Sequence, residues 1–311
     1  VIMPAINFIA SYSIAKNMNA KIYLADVDPV SGQMTPKTLT DCIKNNRIKK
    51  IKAIITMPMG GFPENLEEFY KVKSSFKCYL IEDACHAMGA KYMTKKKSFY
   101  VGSCRHSDLC VFSLHPVKSI TSGEGGVVTT NKKELYEKMI SLRSHGIVRN
   151  KSAHWKYDIS QLGYNYRLSD INCALALSQL KKISKFIDYR KRVYQNYIEG
   201  FKHYQNIFKF YDYKKNNKSS FHLLLLSINF KKTKTTKQKF LSFMKKNKIN
   251  CQYHYIPIYK FDIFKEKIIK KNFKGSEYYY QHTLSLPVFY KLNLSTQQKI
   301  LSKIIMFFKL K

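Results

Sequence analysis

The stretch Asp108-Leu109-Cys110-Val111-Phe112-Ser113-Leu114-His115-Pro116-Val117-Lys118-Ser119-Ile120-Thr121-Ser122-Gly123-Glu124-Gly125-Gly126 decides how this chain is read. Its first six residues are a short apolar run closing on Ser113, the pattern of a buried strand. A loop follows, stiffened by Pro116 and freed by Gly123, Gly125 and Gly126, with Lys118 between them. A lysine as such carries no signal here, because the chain holds 48 of them against seven arginines. Its place, five residues beyond a strand end, does.

Working outward, the same pattern recurs. Lys21 to Asp26, Lys52 to Met57, Cys78 to Asp83 and Val127 to Thr130 read as further buried strands, each bounded by polar or Gly/Pro punctuation. Amphipathic segments such as Asn65 to Lys73 and Lys132 to Leu142 lie between them. Strands alternating with helices predict an α/β domain built on a largely parallel sheet. From Ser169 one long helix is expected to run towards Tyr197, with Ile171, Leu175, Leu177, Leu180 and Ile183 on an apolar stripe. Beyond it, Phe221 to Phe230 reads as a strand, Lys234 to Lys246 as a helix and Thr296 to Phe308 as a closing helix. The expected division is a large domain over 1–190 and a smaller C-terminal domain over 191–311. The chain opens directly on the strand-like Val1-Ile2-Met3-Pro4, so the large domain is expected to lack its first part.

At 311 residues there is room for a large core and two domains. The seven cysteines are scattered and never form a C-x-x-C pair, which suggests neither a disulfide framework nor a zinc site. No apolar run is long enough to span a bilayer and no secretory leader is visible, so a cytoplasmic protein without membrane contact is expected. The formal charge of +35 raises nucleic-acid binding. Against it, the excess is almost all lysine, whereas base-edge and bidentate phosphate recognition favours arginine. Residues 201–311 carry 24 lysines and no arginine, which solvated lysine-rich faces explain as well as a nucleic-acid partner does.

In open α/β sheets ligands gather beyond the carboxyl ends of the strands. Three polar features sit at such ends: Asp83 with His86 three residues on, Ser113, and Lys118. No G-x-x-x-x-G-K-[ST] occurs, which excludes a P-loop, and a metal site would want more ligands at suitable spacing. A Schiff-base site for pyridoxal phosphate fits each member. The lysine forms the imine, the aspartate pairs with the pyridinium nitrogen, and the hydroxyl donates to the phosphate.

Longer motifs sharpen this. Ile81-Glu82-Asp83-Ala84-Cys85-His86-Ala87-Met88-Gly89-Ala90, the opening stretch, and Gly163-Tyr164-Asn165-Tyr166-Arg167-Leu168-Ser169-Asp170-Ile171 follow one another in the order that resembles the DegT/DnrJ/EryC1/StrS nucleotide-sugar aminotransferases. Gln252-Tyr253-His254-Tyr255-Ile256-Pro257 extends the likeness towards the C-terminal helix. The resemblance implies the aspartate-aminotransferase-like fold of the type I pyridoxal-phosphate transferases, with a large parallel-sheet domain and a smaller α+β domain. It implies transfer of an amino group from L-glutamate, leaving 2-oxoglutarate, to C4 of a UDP-linked 4-keto-6-deoxy-N-acetylhexosamine of the pseudaminic-acid type that serves flagellin glycosylation. Lys118 would then hold the cofactor and shuttle the proton, Asp83 would meet the pyridine nitrogen, and His86 the ring hydroxyl or the substrate. Ser113 would hold the phosphate, and Asn165 the phosphate of a neighbouring subunit's cofactor, which makes a homodimer with shared sites part of the expectation. Phe8 would stack on the ring, and Gln252, Tyr253, His254 and Tyr255 would line the sugar pocket.

Each residue also has an ordinary structural explanation. Phe8 suits a core, His86 a satisfied buried imidazole, Ser113 a turn after its strand, and Tyr253 and Tyr255 a tyrosine-rich composition. The family's Ser/Thr-rich turn, whose backbone amides bind the cofactor phosphate, is expected to be missing with the first part of the domain. The alternative function is therefore an impaired homologue that binds polyanions through its basic tail.

Overall fold

A computed structural model describes residues 1–95, 97–149, 152–153, 155–211, 217–264 and 273–310. In chain order the elements are β1 (Ile2–Pro4), α1 (Ile9–Asn17), β2 (Tyr23–Ala25), α2 (Pro36–Asn45), β3 (Ala53–Thr56), α3 (Leu66–Ser75), β4 (Tyr79–Asp83), β5 (Lys91–Met93), β6 (Ser98–Tyr100), β7 (Leu109–Ser113) and β8 (Gly126–Thr129). There follow α4 (Lys133–Arg143), β9 (Ile147–Arg149), β10 (Tyr157–Ile159), α5 (Asp170–Leu180), α6 (Ile183–Gly200), β11 (Phe208–Phe210), β12 (Leu224–Ile228), α7 (Lys237–Lys246), α8 (Lys274–His282), β13 (Thr283–Leu286) and α9 (Leu294–Phe307).

The main sheet has the order β2-β1-β3-β4-β7-β8. Its pairs are parallel from β2 to β7, and β8 alone runs antiparallel. Parallel neighbours need crossovers, which α1, α2 and α3 supply as far as β4; the β5–β6 hairpin lies between β4 and β7. The central β3 is buried at all four positions, as a strand covered on both faces must be. Asp108, 1% exposed, accepts the backbone N–H of Leu80 at 2.7 Å and pairs with Lys132 at 2.7 Å and Lys73 at 3.1 Å, tying the starts of β4 and β7 together.

Two expectations are corrected. The strand at Val127 exists, but it is not buried: Val127 and Val128 are each 43% exposed, because β8 is the edge of the sheet and neither face is covered in this chain. The helix expected from Ser169 to Tyr197 is broken at Lys181 and Lys182 into α5 and α6. None of the α5 residues is buried, and Ile171 is 84% exposed. Advancing about 100° per residue, Ile171, Leu175, Leu177 and Leu180 spread around the helix instead of forming one stripe. No single core could take them all.

The C-terminal part is an antiparallel sheet, β11-β12-β13, covered by α6, α7 and α9. Leu224, Leu226 and Ile228 of β12 pack with Tyr194, Tyr197, Phe240 and Ile304. The intervening Leu223 and Leu225 pack with Ile6, Met57 and Met59 beyond the main strands. Both faces of β12 are therefore buried, which explains its unbroken leucine run. This second contact also brings Cys251 to Tyr255 against the carboxyl ends of the main sheet. Helix α6 passes through residue 190, and Ile187, Val193, Tyr194 and Tyr197 from it join the C-terminal core.

Candidate active site

Asp83 is the last residue of β4, and β7 beside it ends on Ser113. The Asp83 carboxylate is held from two sides: Oδ2 accepts the Ser11 hydroxyl at 3.1 Å, and Oδ1 the Cys85 N–H at 3.4 Å. Ser11 comes from α1, whose first turn thus meets the end of β4. Ser113 Oγ accepts the His115 N–H at 3.3 Å and starts the turn into the lysine loop.

That loop is fastened at several points. Leu114 N–H reaches Gly125 O at 2.8 Å, Ser122 N–H returns to Leu114 O at 3.0 Å, and Lys118 N–H donates to His115 O at 2.9 Å. Gly125 has φ +135, and a Cβ there would lie 2.8 Å from Leu168. Glycine is needed for this close approach to the segment before α5. The fastened loop leaves Lys118 half-buried, and burial lowers its pKa below the ordinary lysine value although Cys85 and Asp83 pull the other way. An amine in such a place is more easily neutral, hence more nucleophilic and more basic in use, than one in water.

His86 is 2% exposed. Its Nε2 meets Tyr255 Oη at 2.9 Å and its Nδ1 accepts the Gly60 N–H at 3.4 Å. With Nδ1 an acceptor, Nε2 carries the proton and the ring is neutral; burial, aided by His222, Lys118 and His254, holds its pKa well below the usual histidine value. Both nitrogens being taken, the ring acts on its surroundings through Tyr255. Phe8, at the start of α1, is 54% exposed and its ring lies 5.7 Å from that of Tyr255. These two rings, with Asn7, Gln252, Tyr253 and Phe261, wall a cavity of about 430 Å³.

The 252–255 segment is placed by β13. Gln252 and Ser285 exchange backbone hydrogen bonds at 3.2 and 2.9 Å, and His254 Nδ1 meets Ser285 Oγ at 2.8 Å. Tyr253 lies under the Lys237 ammonium, 4.0 Å from Nζ to ring centre. Asn165 stands apart on an exposed loop, bridged through its backbone to Ser144; among the described residues no hydrogen bond joins its side chain to Lys118, Asp83 or Ser113.

Thus Asp83, Lys118, Ser113, His86, Phe8 and residues 252–255 come from four separated segments to one end of the sheet. The sequence reading missed Ser11, which braces Asp83, and His222, Arg190 and Ser285, which flank the histidines. His222 sits in an apolar strand-like run and Arg190 among apolar helix positions, a mismatch between residue type and expected burial that could have drawn notice.

Residues 1–305 match the DegT/DnrJ/EryC1/StrS aminotransferase family. A Campylobacter jejuni protein named UDP-4-amino-4,6-dideoxy-N-acetyl-beta-L-altrosamine transaminase is 34% identical over 296 residues, covering 94% of this chain and 75% of the relative. A Helicobacter pylori protein of the same name is 33% identical over 261 residues, covering 84% and 67%. Among solved structures, Helicobacter pylori PseC, an aminotransferase involved in the biosynthesis of pseudoaminic acid, superposes with a TM-score of 0.86 at 28% identity, covering 99% of this chain and 79% of its own. With the fold, the strand-end lysine and aspartate and these matches in agreement, the chain belongs to the DegT/DnrJ/EryC1/StrS aminotransferase family.

Proposed function

We propose that this aminotransferase takes its amino group from L-glutamate and delivers it to C4 of a UDP-linked 4-keto-6-deoxy-N-acetylhexosamine, with pyridoxal phosphate as cofactor. The observation that carries the reading is Lys118, its proton affinity lowered by burial, within electrostatic reach of the braced carboxylate of Asp83. The donor set fits the cofactor: an amine for its carbonyl, a carboxylate for its ring nitrogen, the exposed Phe8 ring for stacking, and the Ser113 hydroxyl for its phosphate. Bound there, pyridoxal phosphate supplies an electrophilic carbonyl and an electron-withdrawing ring.

The chain's residues do the rest. Lys118 Nζ, its pKa lowered by burial, would take the proton from the carbon bearing nitrogen and return it on the other side of the exchange. Asp83 would meet the ring nitrogen, with Ser11 fixing Oδ2. His86 holds Tyr255 Oη, and so the wall that Tyr255 forms with Phe8. Gln252, Tyr253, His254 and Tyr255 border the sugar. The corresponding domain division is a large cofactor-binding part over 1–190 and a small part over 191–311.

A homodimer, with Asn165 serving the neighbouring subunit's site, is supported by the apolar surface around it. Leu162, Tyr166 and Ile171, close to Asn165 in the chain, are 91, 70 and 84% exposed, large apolar side chains left without cover in a single chain. Among the described residues no helix is long and apolar enough to cross a membrane. A cytoplasmic place for this sugar-nucleotide step, which would feed glycosylation such as that of flagellin, is part of the same proposal. Family membership favours this enzyme over a catalytically impaired polyanion binder.

The test adds pyridoxal phosphate to purified protein, reduces with borohydride and locates the modified peptide. Expected is a visible-absorbing species fixed on Lys118 and absent in Lys118→Ala, with ping-pong kinetics for glutamate and the keto sugar nucleotide. Identical absorption and labelling in the two proteins would falsify the reading.

A further inference from the structure

Beside the aromatic-walled cavity lies a second, of about 320 Å³, lined by Arg190, His222, Gln252, His254 and Ser285 among others, with Val117, the residue before Lys118, at its border. Gln252 faces both. No aspartate or glutamate is among the lining residues of the second cavity. Arg190 is 6% exposed; its Nη1 donates to the backbone oxygens of His222 at 3.2 Å and Val288 at 3.0 Å. Among the described residues no carboxylate pairs with it and its Nε has no hydrogen-bond partner, nor has Nδ1 of His222, which is also 6% exposed.

A buried guanidinium with no counter-ion is costly, and its remaining donors suit a planar carboxylate. Beside it the His222 ring is unmatched too: burial, then Arg190 and Lys118, hold its pKa well below the ordinary value, and among the described residues its Nδ1 finds no partner. An anion entering the cavity would relieve both costs. We propose that the Arg190–His222–His254 cavity is a carboxylate subsite, occupied by one carboxylate of the dicarboxylic amino donor. The inference rests on the proposed function for the identity of that donor. A site that takes two unlike substrates in turn needs separate holds for them. The larger, aromatic cavity suits a sugar and base, whereas a small diacid offers little besides its carboxylates. Proximity to Lys118 places the donor's other end near the amine.

The test uses cofactor-free protein with histidine labelled for NMR, titrated with glutarate, a diacid that cannot transaminate. Glutarate should raise the melting temperature and shift the ring signals of His222 and His254. His222→Asn should weaken glutarate binding about tenfold or more, the scale of one lost charged hydrogen bond. It should raise KM for L-glutamate by a like factor, with kcat/KM for the keto sugar nucleotide changed less than about threefold. Arg190→Lys should act in the same direction; because Arg190 also braces two carbonyls, its result counts only if its melting curve is cooperative, and His222→Asn decides otherwise. Unchanged ring signals with glutarate would overturn the proposal. So would a loss confined to the sugar-nucleotide half-reaction together with ring shifts caused by pyrophosphate, which would make the cavity a diphosphate site. If borohydride fails to mark Lys118 yet glutarate shifts the rings and His222→Asn abolishes the shift, the carboxylate subsite stands and the aminotransferase reading falls.

Discussion

Acid should destabilise this protein through its buried histidines from about pH 6.5 downwards. Burial, with Lys118 adding to it, lowers the His254 pKa from an ordinary 6.5 to about 4. The imidazole is thus neutral when folded, while the unfolded chain takes up a proton near pH 6.5. Its stabilising contribution is complete above about pH 6.5 and is lost as pH falls through about 4. A shift of roughly 2.5 units at about 1.4 kcal/mol per unit sets an upper bound of about 3 kcal/mol. His86 and His222 are displaced in the same direction, mainly by burial. Urea unfolding of cofactor-free wild type and His254→Gln, followed by far-UV circular dichroism from pH 7 to 4.5, isolates the His254 part, because the carboxylates titrate alike in both. At pH 7 the variant should be the less stable, having lost the imidazole contact with Ser285 Oγ at 2.8 Å. The gap should close, and then favour the variant, as pH falls. Parallel curves for the two proteins would show that His254 titrates normally, and the account of the buried cluster would be wrong.

Two further substitutions test the frame that holds the site. Gly61 has φ +91, and a Cβ there would lie 1.9 Å from Ser220 Oγ and 2.6 Å from the His86 carbonyl oxygen, so Gly61→Ala should cost about 3 kcal/mol or more in thermal unfolding; a loss below about 0.5 kcal/mol would mean the loop is free to move. Asp108→Asn leaves the ammonium groups of Lys73 and Lys132 without their carboxylate, and should cost about 3 kcal/mol at pH 7, read from urea midpoints. Lys132→Met, at the more exposed partner, should cost clearly less; an equal loss would count against the buried end of the pair as the tether between β4 and β7.

Much of the fold can be read along the chain where burial is two-sided. The runs at Lys52, Cys78 and Asp108 appear as β3, β4 and β7 within a residue or two of their expected ends, because β3 is buried on both faces and β4 and β7 on one face with the other half-covered, which calls for short apolar runs. The same logic fails at β8 and α5, where apolar residues face out of this chain. Composition records that a side chain seeks cover, not whether its own chain supplies it. The short α1 and α2 were overlooked for a different reason: α1 buries only Tyr12 and Ala15, and α2, burying Leu39 and Cys42, is announced chiefly by Pro36 and the Thr35–Thr38 capping box.

At the site, sequence by itself determined the chemistry of the strand ends. Asp83, Ser113 and Lys118 are legible there because a carboxyl end must be followed by loop, and polar residues in that loop have few structural duties. Tertiary structure alone decided what surrounds them. Ser11 reaches Asp83 across 72 residues, Tyr255 reaches His86 across 169, and Arg190 stands over the carbonyl of His222 with no carboxylate beside it among the described residues. Contacts of that span leave no periodic trace, since each depends on how β12 and β13 lean against the ends of the main sheet. Residue type sets what a group can do; packing sets whether an amine is neutral, an imidazole buried or an arginine in need of an anion.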